Sequence, residues 1–473
     1  MARFLLSLAV AAAIMRGGAT KAVRRLAPLG LAAILLLQAM GCGAASELAA
    51  HVNPARLPAW PRGVPTPSPW LRRELPGPLT PFVPPSPAPS VTATATPAPP
   101  SPTPTRTPFP TPTAVLSLDQ LRALPIPSTK VLGHGIQLPQ GFKIDVFAQG
   151  VKSASYMAYS PDGVLFVSQP EQGTVTALPD RAGKGRAESS VVFAGGLTQP
   201  TGLAFFGDYL YVAEAQQIVR FPYTSGELHA STSPEVVVHD LPAGGNNPTH
   251  AIGFGPDRRL YVTIPASCNA CREADPRRAT IMRYEPDGSH EEVFAQGLRD
   301  AEGLLWYPNS PNPLASNSNR RRMGEDLPPD TIELVLPRSN FGWPFCHAGD
   351  IVDPDLGWPN ACDGVPHPFV QLPAHTTPRG LCAYQGSQFP SEYYGSIFVA
   401  LSGSWERQVP TGYEIVCLKL QDGQVAAVEH FASGWLVQEQ AWGRPVDVIQ
   451  APDGSLLVSD DWAGAVYRIY YQP

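Results

Sequence analysis

The sequence predicts an all-β protein, a six-bladed β-propeller preceded by a signal or lipoprotein segment and a disordered Pro-rich linker. Three observations carry the propeller. First, a turn phrase recurs: Ser160-Pro161-Asp162-Gly163, Gly255-Pro256-Asp257-Arg258 and Ala451-Pro452-Asp453-Gly454, with a looser copy at Phe206-Gly207-Asp208. Second, each copy follows a short apolar run and precedes a segment ending in an alternating one, as Val446–Ile449 precedes the 451–454 turn and Val466-Tyr467-Arg468-Ile469 follows it. That is strand, tight turn, strand, then a further strand, at a period of about 45 residues, which is the signature of propeller blades. Third, inner strands are expected to start near Met157, Gly202, Ala251, Gly303, Gly380 and Val446, and six starts mean six blades. Lys143–Phe147 and Val466–Tyr471 both alternate and lie at opposite ends of the domain, so they are expected to share one blade and close the ring.

From the N-terminus, Arg24-Arg25 precedes an apolar stretch, Leu26–Met40, that ends in Gly41-Cys42 and small residues. A basic region, an apolar core and small residues make an export signal over 1–42. Gly41-Cys42 resembles a bacterial lipobox, with Cys42 as the lipidated residue and a membrane anchor at the cell envelope. Ala39 and Met40 depart from the usual pattern, and simple cleavage or an uncleaved anchor is the alternative. A second apolar run, Phe4–Ile14, precedes Met15, where translation is expected to begin. Residues 43–128 lack periodic apolar pattern, and 23 of the 55 prolines fall between 51 and 130. Such a Pro/Thr/Ser-rich stretch buries too little apolar surface to offset its ordering entropy and favours extended polyproline II, a semi-rigid stalk. The folded domain is expected over 134–473. The net charge of −6, without a basic stripe carrying aromatics, gives no support for a nucleic-acid partner.

Of seven cysteines, six lie in the domain, and in an exported chain disulfides are the default. Cys346 and Cys362 bracket a loop and form the best pair. Cys268 and Cys271 form a lone Cys-X-X-Cys with no second pair to complete a zinc site, so a local disulfide is expected. Cys382 and Cys417 either pair or are simply small buried residues.

Several phrases occur in one order: Gly253-Phe-Gly-Pro-Asp-Arg-Arg-Leu-Tyr-Val, Ser267-Cys-Asn-Ala-Cys-Arg-Glu, Phe294-Ala-Gln-Gly-Leu-Arg-Asp-Ala-Glu-Gly-Leu, Gly324-Glu-Asp-Leu-Pro-Pro-Asp, Asn340-Phe-Gly-Trp-Pro-Phe-Cys and Gly443-Arg-Pro-Val-Asp-Val. Over 136–473 the chain resembles the soluble glucose and sorbosone dehydrogenase family, six-bladed quinoproteins that use pyrroloquinoline quinone (PQQ) and calcium. The resemblance implies an oxidoreductase acting on a sugar or aldehyde, with electrons passed to an external acceptor. It implies that Arg299, Arg407 and Arg444 meet the cofactor, whose carboxylates need cations. It also implies that backbone carbonyls of the Gly342–Pro344 turn hold calcium.

The family's general base is a His after a Gly-Gly pair, needed to take the hydroxyl proton while hydride goes to the quinone. Here Gly244-Gly245 is followed by Asn246-Asn247, and His250 is the nearby candidate. Asp300 stands where relatives have Asn, and Glu414 where they often have Lys. A propeller without turnover that binds a ligand, glycan or protein is therefore the alternative. A third reading, a calcium-dependent lactonase, needs acidic and amide residues at the inner-strand starts, and the sequence is read as lacking them.

Overall fold

The computed structural model describes residues 128–242, 244–245 and 247–473. The signal, lipobox and linker readings, Cys42 and Met15 among them, lie outside these residues. The chain enters a strand at Ser128–Val131, which pairs with His134–Gln137 ahead of the propeller.

Six four-stranded antiparallel sheets follow. Numbered by chain order, their inner strands are Met157–Tyr159, Leu203–Phe206, Ile252–Phe254, Ala301–Leu305, Pro378–Ala383 and Pro445–Gln450. Each inner strand touches the next and the sixth touches the first, so the ring is closed. The six starts read from the sequence match these strands. Closure is by the expected device: Phe142–Gln149 is the outermost strand of blade 6, with Phe142 opposite Tyr471 and Gln149 opposite Ala465. Among the described residues the one helical element is a single 3-10 turn, Ser391–Tyr393.

The core is six clusters, one in each gap between neighbouring blades, with a small seventh of Ala266, Ala279 and Trp343 beside the Cys268–Cys271 turn. Phe166 and Phe193 of blade 1 meet Phe205 and Tyr223 at blade 2, and Phe142 of blade 6 packs edge-on against Phe389, Tyr393 and Phe431 of blade 5. Because a blade is covered on both faces, its second strand is buried throughout, as in Leu165–Gln169 and Leu260–Ile264.

The repeated turn has a second use. Gly163 takes φ +83°, as the tight turn requires. Asp162 accepts from Ser160 Oγ at 2.8 Å and also reaches into blade 2, accepting from the Tyr223 hydroxyl at 2.6 Å and the Gly226 N–H at 2.8 Å.

Both expected disulfides form, Cys268–Cys271 and Cys346–Cys362. Cys382 and Cys417 are free and buried. They flank Phe398 on opposite neighbouring strands, about 9–10 Å apart by strand spacing, beyond the reach of a disulfide.

Candidate functional site

The ring leaves two spaces along its axis. The narrower is a throat of roughly 130 Å³ lined by inner-strand residues of all six blades, including Tyr156, Gly202, Ala251, Gly303, Gly380 and Asp447. The strands converge closely here. A Cβ on Gly380 would sit 2.0 Å from Asp447 Oδ1, and one on Gly303 2.1 Å from the Arg379 carbonyl oxygen. Asp447 accepts from the Met157 N–H at 2.9 Å, and burial pushes its carboxyl up to about 7.

The larger space, about 530 Å³, opens where the chain enters the inner strands of blades 4, 5 and 6. Long loops between the second and third strands of blades 3, 4 and 5 (265–279, 318–329 and 402–413) build its walls. Five arginines line it (299, 321, 322, 379 and 444) against the carboxylates of Asp300, Glu302 and Glu406.

Its floor is a buried polar network. The Asn247 amide donates from one nitrogen to Asp300 Oδ1 at 2.8 Å and to Glu302 Oε1 at 2.7 Å. Glu302 meets Arg379 Nε at 2.5 Å, and the Tyr156 hydroxyl donates to the Glu302 backbone carbonyl. Burial pushes the Glu302 carboxyl up to about 7; Arg379 opposes the rise and Asp300 adds to it. Arg379 stays charged: burial disfavours its cation, but Glu302 and the Tyr156 hydroxyl outweigh that and raise its pKa.

The walls differ in how far their cations are spent internally. Arg299 is buried, donates to the carbonyls of Asn269 and Ser318 at 3.2 Å each and lies 3.7 Å from Asp300. Arg444 forks onto both oxygens of Asp461 and stacks on Trp462. Arg322 pairs with Glu406 at 3.2 Å. Among the described residues Arg321 makes no ion pair: its guanidinium lies 4.3 Å above the ring of Trp405, which is 68% exposed. The Cys268–Cys271 turn anchors this wall, because Asn269 exchanges two 2.8 Å bonds with the Arg321 backbone.

The structure thus brings Arg299 and Arg444 together at one cavity and leaves other expected residues apart. Arg407 is outside its lining, tied to the carbonyls of Glu325, Ala374 and Val409 and to Asp326. His250 is buried, with Nδ1 2.7 Å from the Thr263 carbonyl and Nε2 3.3 Å from that of Ala215, and it does not line the cavity. Burial lowers its pKa. The Gly342 carbonyl accepts the N–H groups of Phe345 and Cys346, each at 2.9 Å, and neither Gly342 nor Pro344 lines the cavity. Asn246 lies outside the described residues.

One reading is corrected. The inner-strand starts do carry acids and an amide: Asp300, Glu302 and Asp447, with Asn247 beside them. Glu302, Arg321, Arg379 and Trp405 went unread as site residues. A signal existed for two of them. Glu302-Gly303 and Arg379-Gly380 hold the same place, immediately before an axial glycine, and the register of the blades puts them side by side.

Residues 132–468 match the family described as a domain of unknown function, DUF7133. The chain belongs to that family. A curated relative of the DUF7133 domain, an uncharacterized protein of Borreliella burgdorferi, is 26% identical over 356 residues, covering 71% of this chain and 91% of the relative. Among solved structures, the domain is similar to the holo form of the pyranose dehydrogenase PQQ domain from Coprinopsis cinerea. The TM-score is 0.62 at 18% identity, covering 73% of this chain and 98% of that one. It is also similar to the PQQ-bound aldose sugar dehydrogenase from Streptomyces coelicolor, with TM-score 0.51 at 20% identity, covering 70% and 99%. A calcium structure of a Trichoderma reesei carbohydrate-active enzyme of family AA12 gives TM-score 0.59 at 18% identity, covering 72% and 98%. These likenesses establish the fold of the DUF7133 domain as a six-bladed propeller of the kind found in PQQ-dependent sugar dehydrogenases.

Proposed function

We propose that the axial cavity binds PQQ and that the protein is a sugar dehydrogenase, oxidising an aldose or related aldehyde and passing electrons to an external acceptor. The observation that carries this reading is the cavity wall: five arginines, one of them, Arg321, stacked on Trp405 and without a carboxylate partner among the described residues. A planar polycarboxylate fits such a wall. Its anionic groups meet guanidinium forks, and its ring system meets the face of an indole or a guanidinium. Arg299, Arg321 and Arg444 would hold it, and Asn247, Asp300 and Glu302 would face the substrate. When bound, PQQ supplies the two-electron acceptor for hydride. Calcium fits less well: the Gly342 carbonyl would have to exchange its two N–H donors for the ion, so no step is assigned to it.

One observation favours binding without turnover as the second reading. An Asn amide, which has no useful basicity, stands at the cavity floor, while His250 is engaged elsewhere. Titration of the purified chain with PQQ and calcium, followed by dye reduction over a panel of aldoses, divides the readings. Absence of PQQ binding overturns the dehydrogenase; binding without dye reduction supports the second reading.

We further propose export and tethering through Cys42. The basic-then-apolar start with Gly41-Cys42 supports this, as do two disulfides, which persist in oxidising compartments. Mass spectrometry of the mature N-terminus tests it: an unmodified Cys42 overturns the tether.

A further inference from the structure

We propose that Glu302 is the general base of this cavity, its carboxylate taking the hydroxyl proton from C1 of the bound sugar. The proposal rests on the dehydrogenase reading and names the residue that would replace the missing histidine. Arginine cannot accept a proton at physiological pH, so among the described lining residues the candidates are the carboxylates of Asp300, Glu302 and Glu406. Glu406 stands on the 402–413 loop and pairs with exposed Arg322. Asp300 has its Oδ1 on Asn247 and its Oδ2 beside Arg299.

Glu302 differs from both. It sits on an inner strand, a rigid element, with its backbone carbonyl held by Tyr156 and Oε1 held by Asn247. Its Oε2 lies 2.5 Å from Arg379 Nε, yet neither atom makes a directed hydrogen bond. A positioned, desolvated carboxylate in the cavity lining is what proton abstraction needs. The arrangement of base, amide orienter and neighbouring cation is a triad logic transferred to different residues.

The step balances. The O–H bond at C1 breaks and its proton passes to Glu302. The C1–H electron pair would leave as hydride, for which PQQ, when bound, would supply the two-electron acceptor, and the sugar would become a lactone. Glu302 then returns its proton to water. The charged and titratable groups facing it are Asp300 just before its strand, Arg321 of blade 4, Arg379 of blade 5 and Tyr156 of blade 1. Turnover should therefore rise with pH through the region near 7 where this carboxyl ionises.

The test uses the full chain loaded with PQQ. E302Q should lower kcat at least about 100-fold, with PQQ affinity within about threefold of wild type and a lowered unfolding midpoint, because buried Arg379 loses its counter-charge. A second readout is independent of activity. PQQ binding at pH 7, measured calorimetrically in buffers of different ionisation enthalpy, should take up a fraction of a proton in wild type and less in E302Q, because a polyanion raises a neighbouring carboxyl. Should E302Q fold poorly, E302D keeps the charge while retracting it, and the same loss of turnover is expected. Turnover in E302Q within about threefold of wild type overturns the proposal, as does loss confined to D300N or E406Q. PQQ binding without oxidation of any aldose overturns the base and leaves the binding reading intact. Failure of wild type to bind PQQ overturns the dehydrogenase reading and the base with it.

Discussion

Blades 1 and 2 and blades 3 to 5 are the same object in cross-section and different objects at one end. All five are four-stranded antiparallel sheets whose faces pack into inter-blade clusters of aromatic and branched residues. The turns between second and third strands of blades 1 and 2 (170–173 and 214–217) are four residues each, whereas those of blades 3, 4 and 5 span 265–279, 318–329 and 402–413. The long loops bring Asn269, Arg321, Arg322, Trp405 and Glu406 over the axis, and blades 1 and 2 add nothing to that lining. The sheets repeat around the ring, and the long loops together with the charged residues at the inner-strand starts of blades 4 to 6 make one sector chemical.

Four tests break or sharpen that contrast. The largest effect is expected at the cavity floor: Arg379→Met leaves Glu302 buried without its counter-charge and should cost about 3–5 kcal/mol, read as a lower chemical-denaturation midpoint. Cys346→Ser with Cys362→Ser opens a loop in the long excursion of blade 4 and should cost about 3 kcal/mol, whereas Cys268→Ser with Cys271→Ser, which closes a far shorter loop, should cost less in the same measurement.

A pH test comes next. Glu333, on the third strand of blade 4, is buried with Oε2 unpartnered, and burial pushes its carboxyl from 4.5 up to about 8. The folded protein holds that proton more tightly than the unfolded chain. The contribution is therefore fully present below pH 4.5 and lost as pH rises toward 8. Glu333→Gln should raise the thermal midpoint at pH 9 and leave it nearly unchanged at pH 4. The smallest effect compares two arginines: Arg321→Ala should weaken PQQ binding about tenfold, roughly 1.4 kcal/mol, while Arg407→Ala, outside the cavity, should change it less than about twofold. Equal losses would mean that the cavity boundary is misplaced.

The blades were legible in the sequence because their signals are local. A Pro-Asp-Gly turn and an alternating strand specify their own conformation, and six inner-strand starts count the blades. Ring closure was legible for the same reason, from two alternating termini. The disulfide between Cys346 and Cys362 followed from spacing, while the fate of Cys382 and Cys417 did not: two strand spacings across Phe398 separate them.

The candidate site was half legible. Arg299 and Arg444 stand on phrases that fix their place before an inner strand. His250 holds the same register as Glu302 and Arg379, one residue before an axial position, yet carbonyls of Thr263 and Ala215 capture its ring. Arg407 is likewise held by the segment around Glu325 and Asp326. Which partner captures a long polar side chain depends on groups tens of residues away, and no local pattern encodes it.

The sequence by itself determined the repeat, the number of blades and the positions of the turns, because period-2 burial and tight-turn geometry are short-range properties. Only the tertiary structure decided which charges meet at the axis. Asn247, Glu302, Arg379 and Tyr156 come from four different blades or the crossings between them. Their burial and mutual charges, and hence the upward shift of the Glu302 carboxyl, exist only once the ring has closed around them.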